Sequence, residues 1–299
     1  MYFIPVNPHF STYLAMREFP DRAHMITMRD PRDFVDWKIE YDLPTLGKFQ
    51  VLSNWLFEDL LFSRQAVRQA DAVFCIGKCL IEKVKQKYQL TTDPRYLPTP
   101  VPVPQHVQKA QTPTVCYMAR WDRRKRPELF LQLAKEFPDV QFICAGHSRD
   151  KKWDSYLRNK YSHLPNLELP GFVDQFSSNT HSNILKKSWI MVNTAIREAL
   201  PNSFIEASTY GCDIMSAVNP DGFASEFGYH VLDDRFDEGL RKLLDNNKWK
   251  EQGERGRRYI QEHFELNRAM DNHMAMYQQL ISDCHAVKYS EVCVPSVKV

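Results

Sequence analysis

Short apolar runs alternate with amphipathic stretches along most of this chain. In the first hundred residues strand-like runs stand at Tyr2–Val6, His24–Met28 and Ala72–Ile76, and helical periodicity covers Trp55–Gln69 and Leu80–Tyr88. From residue 114 the alternation is regular. Strands are predicted at Thr114–Ala119, Val140–Ala145, Leu167–Leu169, Ser188–Ala195 and Cys212–Val218. Between them lie helices at Pro127–Phe137, Trp153–Tyr161, Asn179–Lys187 and Phe204–Tyr210, the last closed by Gly211. On the first of these, Leu129, Phe130, Leu133, Ala134 and Phe137 share one face. Asn219-Pro220-Asp221-Gly222 makes a turn, and helices near Asp237–Asp245, Lys250–Phe264 and Asn267–Ser282 follow. Apolar strands alternating with helices predict an α/β fold with parallel, doubly wound sheets.

Proline and glycine divide this pattern. Pro98, Pro100, Pro102, Pro104 and Pro113 are too dense for a central strand or a helix interior, so residues 99–113 read as an extended, stiff linker. The organisation expected is a lobe over 1–98, a second domain over 114–283 and a loose tail over 284–299. Gly47 and Gly77 are the only glycines before Gly146, so the first half has no glycine-rich phosphate loop and reads as an incomplete doubly wound lobe.

Composition narrows the partners. A chain of 299 residues with 43% apolar and 12% aromatic residues can fill two cores. A net charge of +2 gives no global field for nucleic acid. No run reaches the length of a membrane span, and Met1 to Val6 lacks the pattern of a leader. The seven cysteines show no C-x-x-C spacing, and four sit in apolar strand-like runs, as reduced buried thiols would. The expected location is cytoplasmic, with attachment to the cytoplasmic face of a membrane as a variant.

Two segments carry candidate chemistry. The run Arg197-Glu198-Ala199-Leu200-Pro201-Asn202-Ser203-Phe204-Ile205-Glu206 joins a buried strand to a helix, and Pro201 and Asn202 suit the helix start. Glu198 then lies on a loop at a strand's carboxyl end and Glu206 in the helix's first turns, where open α/β sheets bind ligands. Equally, Ser203-x-x-Glu206 fits a capping box, and Glu198 fits a solvated loop acid. The run Ala119-Arg120-Trp121-Asp122-Arg123-Arg124-Lys125-Arg126 sets five cations on the loop leaving the second domain's first strand. That run reads either as a solvated basic loop or as half of an anion site shared with the Glu198 loop.

Ala119-Arg120-Trp121-Asp122 through Lys125, then Pro170-Gly171-Phe172-Val173, then Glu198 through Glu206 and Gly211, resemble family 4 of the retaining nucleotide-sugar glycosyltransferases. The resemblance covers residues 70–280 and, weakly, 1–70; the order and spacing of its motifs are more specific than any one of them. It implies the GT-B fold, two Rossmann-like lobes, here with the N-terminal lobe incomplete. It implies transfer of a sugar from a nucleotide-diphosphate donor to the hydroxyl of a carbohydrate or glycolipid, with retention. By position, Arg120 and Lys125 match the pair holding the donor's pyrophosphate, and Glu198 the acid contacting the sugar. Leu200, Pro201, Asn202 and Ser203 match the segment against sugar and phosphate, and Glu206 the acid that accepts from the ribose. Gly171, Phe172 and Val173 match a segment lining the base pocket. Arg120, Lys125 and Glu198 are the implied catalytic residues. No two aspartates stand two apart, so no Asp-x-Asp motif is present and metal-free chemistry, without a cofactor, is expected.

The chain departs from the family pattern in places. Ala119 and Arg126 replace usual glycines, and Ala199-Leu200-Pro201 replaces a Gly-Phe-Gly. Arg29-Asp30 follows the His24–Met28 strand where a His-Asp pair is usual; Asn7 and His9 match no family position. The alternative readings are a donor-binding chain that needs upstream residues or a partner subunit for catalysis and, less favoured by the Glu198/Glu206 spacing, a nucleotide-sugar epimerase.

Overall fold

The computed structural model describes residues 2–4, 8–45, 47–174 and 179–292, with backbone alone for 2–4 and 284–292. In chain order the first elements are β1 (Tyr2–Ile4), α1 (Phe10–Glu18), β2 (His24–Met28), α2 (Phe34–Asp42), α3 (Lys48–Asp59), α4 (Leu61–Gln69), β3 (Ala72–Cys75), α5 (Cys79–Tyr88) and β4 (Arg95–Tyr96). There follow β5 (Thr114–Met118), α6 (Pro127–Glu136), β6 (Gln141–Ala145), α7 (Lys151–Tyr161), β7 (Leu167–Gly171), α8 (Thr180–Lys187), β8 (Ile190–Asn193) and α9 (Asn202–Thr209). The chain closes with β9 (Asp213–Ser216), α10 (Phe223–Glu226), β10 (Gly228–His230), α11 (Phe236–Leu244), α12 (Lys248–His263) and α13 (Leu266–Val292). The predicted α/β class with parallel sheets is what forms. Asn7 and Cys293, singled out in the sequence, and the end of the first strand at Pro5 and Val6 lie outside the described residues.

Two compact units result: residues 1–33, 52–100 and 267–299, and residues 34–51 and 101–266. The first holds a parallel sheet ordered β1-β2-β3-β4. Met25, Phe74 and Leu97 are buried there beside Leu280 of α13. His273 Nε2, also on α13, is 2.8 Å from the Pro98 carbonyl. These contacts explain why residues 267–283 cluster with the first unit, although the sequence pattern groups them with 114–283. The expected tail is also helical as far as Val292. No proline or glycine stands between Leu266 and Pro295 to stop it. The stretch that reads as one helix over Trp55–Gln69 is two, broken at Leu60, whose ψ is 149°.

The second unit holds six parallel strands in the order β10-β9-β8-β5-β6-β7. β8, β9 and β5 are buried almost throughout, as strands covered on both faces must be. Tyr117, Trp121, Phe130, Phe142, Tyr161, Phe236 and Trp249 are the bulkiest members of this core. Residues 99–113 form neither a helix nor a sheet strand, and they are not a free linker. Val101 N donates to the Phe264 carbonyl at 2.9 Å, and Ala110 N to the Lys187 carbonyl at 3.2 Å. Trp189 Nε1 donates to the Ala110 carbonyl at 2.8 Å, and Lys109 Nζ donates to the Ser188 carbonyl.

Candidate active site

The strand order places the site. From β5 the chain steps outward through β6 to β7, then returns to β8 on the other side of β5 and continues through β9 to β10. β5 and β8 are therefore neighbours at the point where the winding reverses, paired Val115 to Ile190 and Cys116 to Met191. Loops leaving the carboxyl ends of two such strands splay apart, and ligands bind in that crevice. Those loops are residues 119–126 and 194–201, the two that carry the sequence candidates.

Hydrogen bonds to backbone carbonyls knit them together. Thr194 Oγ1 donates to the carbonyls of Lys125 and Arg126 at 2.6 and 2.9 Å, and Ile196 N donates to the Arg124 carbonyl at 3.1 Å. Beneath them the Tyr117 hydroxyl reaches the Lys125 carbonyl at 3.2 Å. Burial, first of all, pushes the Tyr117 phenol far above its ordinary value, so it stays a neutral donor. The loop turns into α6 through Arg126, whose φ of 47° lies in the left-handed region that glycine favours. This accounts for the glycine expected at that position. Here the arginine is held by its own side chain: Nε donates to the Thr194 carbonyl and a terminal nitrogen to Asp234, both at 2.7 Å.

Lys125 Nζ pairs with Glu198 Oε1, and Asn193 Nδ2 is 3.3 Å from the same oxygen. Glu198 is therefore a mostly buried, paired acid, which removes the solvated-loop reading. Arg120 remains half exposed, its guanidinium 3.2 Å from the buried Asp122 carboxylate.

A pocket of about 220 Å³ opens at the carboxyl edge of the sheet, past the ends of β5 and β6. Its lining is apolar at Met118, Ala119, Ala145, Phe172, Val173, Leu185 and Met191, and Arg120, Gly146, His147, His181, Ser203 and Glu206 complete it. Glu206 lies 3.2 Å from His181 Nε2. The N-cap of α9 is Pro201 and not Ser203, and its side chain makes no cap bond, so the capping-box reading of Glu206 is not realised. Five of the sequence candidates thus meet at one cavity: Arg120, Phe172, Val173, Ser203 and Glu206. Lys125 and Glu198 form their pair off its lining, and Gly171, Leu200, Pro201 and Asn202 do not line it either. Leu200 is buried, Pro201 stands just before the first turn of α9, and Asn202 opens that helix. The helix start contributes partial positive charge to this region.

Sequence reasoning missed Gly146, His147 and His181. Gly146 has a φ of 135°, and a Cβ there would come 2.0 Å from the Ala119 carbonyl oxygen. The Ala145-Gly146-His147 run at the end of β6 is a readable signal, a glycine directly after a buried strand. The His147 ring meets Phe172 edge-on at 5.4 Å. His181 has no signal, since only the third dimension sets it beside Glu206. In the first unit, Arg29 and Asp30 follow β2, and Asp30 pairs with Arg32 at 3.5 Å.

No curated protein matches the chain by sequence. Solved structures do resemble it. A sucrose-phosphate synthase from Thermosynechococcus elongatus superposes with a TM-score of 0.72 at 17% identity, over 94% of this chain and 74% of that one. Anabaena HepE in complex with UDP and glucose gives 0.66 at 11% identity, over 92% and 77%. The pneumococcal O-GlcNAc transferase GtfA in complex with UDP and GlcNAc gives 0.63 at 11% identity, over 93% of this chain but only 56% of that one. Identities this low carry the fold alone, and that fold is GT-B. The model of the glycosyl transferases group 1 family matches residues 103–263. That match spans more than half of the chain and takes in every residue of the crevice just described, and the protein belongs to this family.

Proposed function

We propose that the protein is a retaining, metal-independent glycosyltransferase that moves a sugar from a nucleoside-diphosphate donor to a hydroxyl of a carbohydrate or glycolipid acceptor. The observation that carries this reading is the meeting of Arg120 and Glu206 at one cavity, with Lys125 and Glu198 paired between the loop that holds Arg120 and the loop that leads into α9. Cleaving the bond between sugar and diphosphate leaves the bonding electrons on the diphosphate. Arg120, Lys125 and the start of α9 are fixed positive charges on which that developing charge can settle. A carboxylate only accepts hydrogen bonds, which suits Glu206 to a pair of ribose hydroxyls and Glu198 to the hydroxyls of the sugar. Phe172 and His147 offer ring surfaces to a base. Retention is inferred from the resemblance of the motifs. Metal independence is inferred from the cations and from the lack of an Asp-x-Asp sequence.

A thermal-shift panel of nucleoside diphosphates and their sugars tests the reading. A binder at a hundred times its Kd stabilises the folded state by about 2.7 kcal/mol, and the panel should single out one base and one sugar. A flat panel would refute the proposal. Conversion of a donor to an isomeric nucleotide sugar would favour an epimerase instead.

A further inference from the structure

Outside the crevice, but packed against its loops, stands a charge network that the family reading leaves unused. Asp36 and Glu40 of α2 are four residues apart, hence on one face of that helix. Asp36 Oδ1 lies 2.6 Å from Arg197 Nε. Glu40 Oε1 lies 3.7 Å from a terminal nitrogen of Arg197 and also pairs with Arg124. All four side chains are only 9–11% exposed, and all belong to the second compact unit. Arg124 immediately precedes Lys125, and Arg197 immediately precedes Glu198.

Two arginines buried this deeply without acids would be unstable, and would lie free to compete with Lys125 for Glu198. With Asp36 and Glu40 in place, both are paired, and neither lines the pocket. Each is anchored one residue from a group of the reacting pair, and the Ile196–Arg124 backbone bond couples the two loops.

We infer that Asp36 and Glu40 are positioning residues for the transfer reaction: through Arg124 and Arg197 they fix the loops that present Lys125 and Glu198. This rests on the proposed function. It adds a requirement that the motifs of residues 103–263 do not contain, supplied by a helix some sixty residues before them in the chain. None of the four side chains lines the Glu206 pocket, so the contacts of ribose and base should be nearly independent of the network.

The test uses the full chain as wild type, Glu40→Gln, Asp36→Asn and Glu40→Asp. UDP-glucose and UDP-N-acetylglucosamine serve as donors, and UDP as the binding probe. The Gln and Asn variants should lower kcat about ten- to a hundred-fold, the scale of a small misplacement of reacting groups. KM and the UDP Kd should rise by less than kcat falls, by no more than about three-fold, since UDP keeps its contact with Glu206 and loses only part of its hold on Lys125 at the diphosphate. Glu40→Asp, which keeps the charge, should recover part of kcat. Hydrogen exchange should quicken in residues 120–126 and 194–200, but not in 145–147. Asp59→Asn, which breaks the similarly buried Lys87–Asp59 pair of the first unit, should cost stability while leaving kcat alone. Unchanged exchange in the two loops, or unchanged kcat, would overturn the inference, as would a loss of kcat that tracks melting temperature equally in Asp59→Asn. If wild type neither binds UDP nor consumes these two donors, exchange in the two loops decides the positioning by itself, and the panel of nucleoside diphosphates decides the proposed function.

Discussion

Glu206→Ala separates a binding carboxylate from a structural one. Its carboxylate lines the pocket, lies 3.2 Å from His181, and is 27% exposed. If it accepts from two ribose hydroxyls, the variant loses two charge-assisted hydrogen bonds worth about 1.5–3 kcal/mol each in a desolvated site. Even at the lower end the sum is about 3 kcal/mol, or roughly a hundred-fold in Kd. The structural cost is small. The pair with His181 is partly solvated and is worth about 1 kcal/mol at most, and no cap bond is lost from α9. Melting should fall by no more than about 4 °C. Calorimetric titration with the nucleoside diphosphate that binds wild type, run alongside unfolding scans, reads both numbers. A Kd within about three-fold of wild type, together with a larger fall in melting temperature, would refute the reasoning and return Glu206 to a structural role.

Arg120→Ala and Lys125→Ala should each lower kcat/KM by about a hundred-fold or more, since removing one preorganised charge of this kind costs about 3 kcal/mol in the barrier; donor-consumption kinetics would show it, with circular dichroism unchanged. Gly146→Ala should destabilise by several kcal/mol and close the pocket, because the new Cβ would come 2.0 Å from the Ala119 carbonyl oxygen at a φ of 135°; denaturant unfolding measures it. Asp213 is fully buried, and burial raises its pKa well above the ordinary carboxylate value. The folded state therefore binds the extra proton, so stability falls as pH rises from about 4 through the folded pKa. Asp213→Asn should raise the melting temperature at pH 7 and flatten that slope; scans from pH 4 to 8 check it.

The parts of this fold that can be read from the sequence are those where polarity and packing agree. β2 and β5 are apolar runs buried in parallel sheets, and α6 shows a single apolar stripe, so each is legible to within a residue or so. α2 is not legible, and its packing shows why. Phe34 and Val35 are exposed at 82% and 64%, while Asp36 and Glu40 are buried, so its pattern is inverted by the ion pairs. β4 and β10 are edge strands of two and three residues, too short to carry a period. The break between α3 and α4 has no proline or glycine to mark it; there the Ser63 hydroxyl bonds the Phe57 carbonyl at 3.0 Å. In the candidate site, the loops at strand ends are legible from the order of elements alone. Their mutual bonding, the Glu206–His181 pair and the grip of α2 on Arg124 and Arg197 are long-range and leave no local trace. One consequence is practical: a fragment starting at residue 99 would leave both arginines without their acids.

The most direct test of the central claim follows a nucleotide sugar by proton NMR in the presence of the full chain, with water as acceptor. A donor whose sugar is α-linked to the diphosphate should be consumed slowly. The free sugar should emerge first as the α anomer, ahead of its equilibration with β, and its release should be about a hundred-fold slower or more with Lys125→Ala. Emergence of the β anomer first would contradict retention. No consumption of any nucleotide sugar that binds the protein would contradict the assignment of a transferase.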